Sequence, residues 1–142
     1  SSGTRTELEE RTTIPLIEEG SSYYVRVKIN DKIWGKFLLD TGASALQISQ
    51  AMAKRLRIDL RRAKQIPVSL AGGTMVTGRA VILKKVKLGG AIVEDVRAIV
   101  LENDNMEVHE GLLGMSFLEN FVFRIDVENQ VLILEELTHE EY

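Results

Sequence analysis

The chain has 142 residues, with 18 lysines and arginines against 21 aspartates and glutamates, and a formal net charge of −3 at pH 7. That length fits one domain with a sizeable core, and the charge balance argues against nucleic-acid binding through a strongly basic face. The absence of cysteine excludes disulfides and thiol catalysis, and with only His109 and His139 present nothing resembles a zinc spacing.

At 44% hydrophobic and 27% charged residues the composition is that of an ordinary globular protein. No stretch reaches the roughly 18 apolar residues that a membrane-spanning helix needs, and no signal-peptide pattern opens the chain. Ser1-Ser2-Gly3 reads as a cloning remnant, so a removed N-terminal anchor is compatible with the sequence. Residues 1–11 are polar, with Glu7, Glu9 and Glu10 clustered, and read as a linker. Residues 12–136 read as the folded domain and 137–142 as an acidic tail.

In chain order, residues 12–18 predict a first strand, with Pro15 placing it at a sheet edge or end. Gly20-Ser21-Ser22 is a turn, after which Tyr23, Val25, Val27 and Ile29 alternate with polar residues as a half-buried strand. Asn30-Asp31-Lys32 turns the chain into a second arm over 33–39, whose continuous apolar end suggests a central strand covered on both faces. Ser49 caps a predicted helix running to about Arg57. Residues 66–70 and 75–83 predict a hairpin with a tip at Ala71-Gly72-Gly73-Thr74, and Gly78 suggests a bulge or a weak point in its return arm. Residues 84–88 and 91–101 predict another hairpin about Gly89-Gly90, followed by an acidic loop over 102–110. Gly111-Leu112-Leu113-Gly114 leads into a short helix with Ser116 as a candidate cap, and 121–127 with 131–135 close the chain as a hairpin.

Two stretches share a pattern of apolar run, small-residue loop and short helix. The first is Phe37-Leu38-Leu39-Asp40-Thr41-Gly42-Ala43-Ser44, and the second is Leu112-Leu113-Gly114-Met115-Ser116-Phe117-Leu118. The first delivers a carboxylate from an apolar strand into a tight loop, where burial is costly unless the charge is paired, hydrogen-bonded or shared. Two carboxylates sharing one proton can activate water against a peptide carbonyl, because like charges in contact cannot both ionise. Gly42 and Ala43 are small enough for two such loops to approach, and Thr41 offers a hydroxyl to tie them. The plain alternative is a turn in which Asp40 caps backbone amides.

These residues resemble the active-site segment and the second signature of retropepsin-like aspartic proteases of the bacterial clan AA branch, a likeness running over about 13–135. The resemblance implies a mainly β, closed barrel-like fold with one or two short helices, a flap hairpin and an obligate homodimer. It implies Asp40, Thr41 and Gly42 as the catalytic motif, with Ala43, Ser44 and the flap-tip residues Ala71, Gly72, Gly73 and Thr74 contacting substrate. Leu112, Leu113 and Gly114 would support the active-site loop. No metal or other cofactor is implied, and the substrate would be a peptide or protein. Bacterial relatives are often membrane-anchored with the protease domain outside the cytoplasm, which would place this domain in a periplasm. None of Asp31, Asp59, Asp95, Asp104 and Asp126 is followed by Thr-Gly or Ser-Gly, so this motif cannot supply both halves of a dyad from one chain. Ala43 stands where many pepsin-like enzymes carry a hydroxyl, which predicts activity at mildly acidic pH. Ser44 replaces an acid common in retroviral members, altering substrate anchoring. The competing reading is a domain of this type that dimerises or binds peptides without turnover.

Overall fold

Alternation of apolar and polar residues makes strands of most of the chain. The computed structural model describes residues 11–70, 72–102 and 110–137. Its elements begin with β1 (Arg11–Pro15), β2 (Ile17–Glu19), β3 (Ser22–Ile29), β4 (Ile33–Leu39), β5 (Leu46–Ile48) and α1 (Gln50–Arg55). They continue with β6 (Lys64–Ser69), β7 (Met75–Leu88), β8 (Ala91–Leu101), β9 (Gly111–Leu113), α2 (Met115–Leu118), β10 (Phe121–Asp126) and β11 (Val131–Glu136). Ala71, both histidines, Asp104, most of the expected acidic loop, the linker residues 1–10 and the tail residues 138–142 lie outside the described residues. Among the described residues no helix is long and apolar enough to cross a membrane.

β1, β11 and β10 form a three-stranded antiparallel sheet. The other eight strands lie in the order β2-β3-β4-β9-β5-β8-β7-β6, and a further pairing of β3 with β7 closes six of them into a ring. The mainly β class with two short helices is the one the sequence predicts. Phe37, Leu46, Ile48, Met52, Leu113, Phe117 and Leu118 are fully buried inside this arrangement. Each contributes about 1.5–3 kcal/mol relative to exposure.

Local chemistry sets the connections. Asn30 and Asp31 take left-handed φ values of 54° and 58° in the β3–β4 turn, a conformation that these two residue types tolerate. The Lys85 ammonium bonds the Asp31 carboxylate at 2.9 Å and holds that carboxyl below its usual range. Ser49 caps α1 by accepting from the Met52 N–H, as expected, and Arg57 at φ 62° turns the chain away after it.

Four expectations change. The single strand expected over 12–18 is two strands: Leu16 is buried between them with its N–H bonded to the Gln130 carbonyl, and the halves join different partners, β11 and β3. Residues 75–83 and 84–88 are not separate arms but one strand of 14 residues. The inward face of β7 shifts between Leu83 and Val86, opposite Asp95 at φ 55°, where the strand passes from β6 toward β3. Gly78 makes no bulge in its pairing with β6. A Cβ there would lie 2.8 Å from Ile99 Cγ2 and 3.1 Å from Val68 Cγ2, so side-chain crowding keeps it glycine. Finally, β4 is central in its sheet, yet Leu38 and Leu39 are only half-buried within one chain.

Candidate active site

The two stretches with the shared pattern meet. β4 and β9 run parallel, with Phe37 opposite Gly111, Leu38 opposite Leu112 and Leu39 opposite Leu113. At the end of this pairing the Asp40 N–H bonds the Leu113 carbonyl at 3.1 Å. The loop then tightens on itself. The Ala43 N–H bonds the Asp40 carbonyl at 3.2 Å, and Asp40 Oδ1 accepts from the Gly42 N–H at 2.9 Å. The carboxylate thus caps a backbone amide and, contrary to expectation, is half-buried rather than buried in the single chain. Its β4 side is wedged in the sheet while Thr41 and Gly42 stand exposed.

The second stretch locks the far side of the loop. The Met115 N–H donates to the Ala43 carbonyl at 2.8 Å. Gly114 lies so close that a Cβ on it would sit 2.6 Å from the Ala45 oxygen and 2.7 Å from the Ala43 oxygen. Gly111 is tighter still, its Cβ position overlapping the Gln47 backbone oxygen. Ser116 is not the helix cap. Gly114 occupies the N-cap of α2 without a side-chain bond, and the buried Ser116 hydroxyl accepts from the Leu46 N–H at 2.9 Å and donates to the Arg97 carbonyl at 2.8 Å. A serine two residues into a one-turn helix lies beside β5 and β8, so its hydroxyl joins those strands to the helix.

A cleft of about 1000 Å³ opens beside this loop. Asp40, Gly42, Ala43, Ser44 and Leu112 line it, joined by Ile66 to Leu70 of the β6 arm and by Ala80 to Ile82 and Arg97 to Ile99 of β7 and β8. The structure therefore brings the Asp-Thr-Gly loop and Leu112 to one apolar cleft. Thr41, Leu113, Gly114 and the tip residues Gly72, Gly73 and Thr74 are not on its lining, and Ala71 lies outside the described residues. At the tip, Gly72 and Gly73 take φ values of 93° and 90°, and the Leu70 N–H bonds the Thr74 carbonyl at 2.8 Å. Sequence reasoning missed Gln47 and Arg97 as lining residues. A glutamine between Leu46 and Ile48 in a buried strand was the available signal, whereas Arg97 reads as the outer face of an alternating strand.

Mainly β topology, paired Asp-Thr-Gly and Leu-Leu-Gly segments and a hairpin beside the cleft define the retropepsin-like class of aspartic protease folds. The model of the family described as "gag-polyprotein putative aspartyl protease" matches residues 25–120, and the chain belongs to that family. A retropepsin-like aspartic protease from Rickettsia conorii superposes with a TM-score of 0.72 at 28% identity, covering 89% of this chain and 91% of that one. The retroviral protease-like domain of Ddi1 from Leishmania major gives 0.55 at 20% identity, covering 84% of this chain and 97% of that one, a likeness of fold. EIAV protease in complex with the inhibitor HBY-793 gives 0.51 at 24% identity over 68% of this chain and 84% of its own, again a likeness of fold. In sequence, the uncharacterized protein RP867 of Rickettsia prowazekii is 32% identical over 119 residues, which is 78% of this chain and 46% of that protein. The chain thus spans about half the length of that relative.

Proposed function

We propose that this domain is an aspartic endopeptidase whose active site forms when two copies meet at a two-fold axis, each contributing Asp40. The observation that carries the reading is that Asp40 is the only carboxylate among the described residues lining the cleft, on a loop whose Thr41 and Gly42 face outward. A lone carboxylate cannot both take a proton from water and give one to the carbonyl oxygen; two that share a proton can. Thr41 makes no side-chain hydrogen bond among the described residues, which suits a hydroxyl that bonds across the axis to the other loop.

In the proposed reaction one Asp40 carboxylate accepts a proton as water oxygen attacks the scissile carbonyl carbon. The protonated partner donates to the carbonyl oxygen, giving a neutral tetrahedral diol. Collapse breaks the C–N bond as the nitrogen takes the proton that the first Asp40 gained from water, while a diol hydroxyl gives its proton to the second Asp40, releasing carboxyl and amine products with one proton again on the pair. The β6–β7 hairpin would serve as the flap, with Gly72, Gly73 and Thr74 at its tip over the substrate. Ala43 and Ser44 would contact the substrate backbone, and Leu112, Leu113 and Gly114 would fix the loop. Cleavage of an unstructured protein by the wild type, abolished in Asp40→Asn at equal fold and association state, is the expected result. Equal cleavage by both proteins would overturn the assignment.

A further inference from the structure

The walls of the cleft are mostly apolar, and two polar side chains on them have no task in the fold. Arg97 is the only cation among the described residues lining the cleft, and its exposed guanidinium makes no ion pair or hydrogen bond with any described residue. On the neighbouring strand Arg79, by contrast, is held by Glu102 at 2.9 Å and by the Ala63 carbonyl at 3.0 Å. Gln47 is 8% exposed, lines the same cleft, and has no side-chain hydrogen bond with any described residue. Facing the cleft, that amide has donor and acceptor capacity the fold does not use.

Register places the two together. β5 and β8 are parallel, with Leu46 opposite Ala98 and Gln47 opposite Ile99. Leu46 and Ile48 point into the core, as do Val96, Ala98 and Val100. Gln47, Arg97 and Ile99 therefore share the opposite, cleft-facing side, with Gln47 and Arg97 diagonal neighbours. Across the sheet, Arg97 pairs with Ile82, which is 58% exposed. The result is a subsite with aliphatic walls and a guanidinium and an amide as donors.

We infer that this subsite selects peptides bearing an acidic side chain near the scissile bond, a specificity that rests on the peptidase reading above. The methylenes of a glutamate would pack on Ile82 and Ile99 while its carboxylate accepts charge-assisted bonds from Arg97 and a bond from the Gln47 amide. A lysine or arginine in the same place meets like charge. Because Gln47 and Arg97 stand on β5 and β8 rather than on the Asp40 loop, the selected residue is displaced from the cleaved bond rather than adjoining it, and two-fold pairing repeats the preference on the other side.

The test uses peptides with apolar residues flanking one scissile bond and Glu, Gln or Lys placed in turn at the first three positions on each side. The wild type should cleave one Glu peptide on each side with kcat/KM about tenfold above its Gln counterpart. Arg97→Gln should erase that ratio, Arg97→Lys should retain part of it, and Arg97→Glu should invert it in favour of Lys. The same peptides titrated by fluorescence anisotropy onto Asp40→Asn protein give a readout without chemistry, with the Glu peptide about tenfold tighter. Cleavage with no Glu preference overturns this inference and leaves the peptidase reading standing. Binding with an Arg97-dependent Glu preference but no cleavage by wild type upholds the inference and overturns the peptidase reading. Absence of both binding and cleavage overturns both. Dimer dissociation in Arg97→Glu with an unchanged Glu-to-Gln ratio would show that the cation faces the other copy, and overturns the inference.

Discussion

Substituting Gly114 by alanine perturbs the candidate site without touching Asp40. The backbone there, at φ −107° and ψ −167°, is open to any residue, so the constraint is space alone. The added methyl would lie 2.6 and 2.7 Å from two backbone oxygens, about 0.8 Å inside the shortest ordinary contact. Neither oxygen belongs to a side chain that could rotate away. The Ala43–Ala45 segment must retreat, and the 2.8 Å bond from the Met115 N–H to the Ala43 oxygen stretches with it. Overpacking of this kind costs about 1–3 kcal/mol, and loss of the hydrogen bond adds about 1 kcal/mol. Thermal unfolding followed by circular dichroism should show a fall in midpoint of roughly 5–12 °C for a chain of this size. Displacing the Asp40 loop by a fraction of an ångström should lower kcat/KM by about 10²-fold even at temperatures where the variant is folded. A variant with wild-type midpoint and wild-type activity would show that Gly114 does not hold the loop, because the methyl cannot be accommodated at these distances without moving it.

Further outcomes follow from the same contacts. Ser116→Ala removes the hydroxyl from the buried Leu46 N–H and the partly buried Arg97 carbonyl, and urea unfolding should show a loss of about 2 kcal/mol; a change below about 0.5 kcal/mol would contradict the bridging role. Glu102 ties the base of the β6–β7 hairpin, accepting from Arg79 at 2.9 Å and from Gln65 at 3.0 Å. The Gln65 amide, with Arg79 after it, holds the Glu102 carboxyl below its ordinary value of 4.5. A lowered folded-state value means that the tie is fully present above that ordinary value and is lost as pH falls through the lower one. Amide exchange in β6, corrected for intrinsic rates, should therefore rise in the acid range and rise already at neutral pH in Glu102→Ala. Indifference to both changes would sink the tie.

How much of this was legible in the sequence varies with the distance between partners. The turns and the cap at Ser49 rest on residues a few positions apart, and the strands they bound came out close to expectation. The Asp-Thr-Gly and Leu-Leu-Gly stretches were recognisable as a pair of similar segments, but that Leu38 lies beside Leu112 in parallel register is a contact across more than 70 positions. Local pattern carries no such information. The break at Leu16 has the same origin, since partners late in the chain divide 12–18 into two strands. In β7 the change of inward face between Leu83 and Val86 looked like the end of one strand, because a chain bending from one partner to another loses its period-two pattern without losing its hydrogen bonds. Ser116 misled for a chemical reason: a serine near a helix start is most often a cap, and only the packing of α2 on β5 and β8 gives its hydroxyl other partners. Asp40 was expected to be buried because its strand is apolar. Within one chain it is half-buried, on the face that the proposed second copy would cover.

A site shared between two chains is distinguished from one complete in a single chain by mixing wild-type and Asp40→Asn subunits at fixed total concentration and allowing them to exchange. If each active site needs Asp40 from both copies, activity follows the square of the wild-type fraction, and an equal mixture retains about one quarter of the starting rate. A site complete within one chain would leave about one half, a linear dependence that would contradict the account.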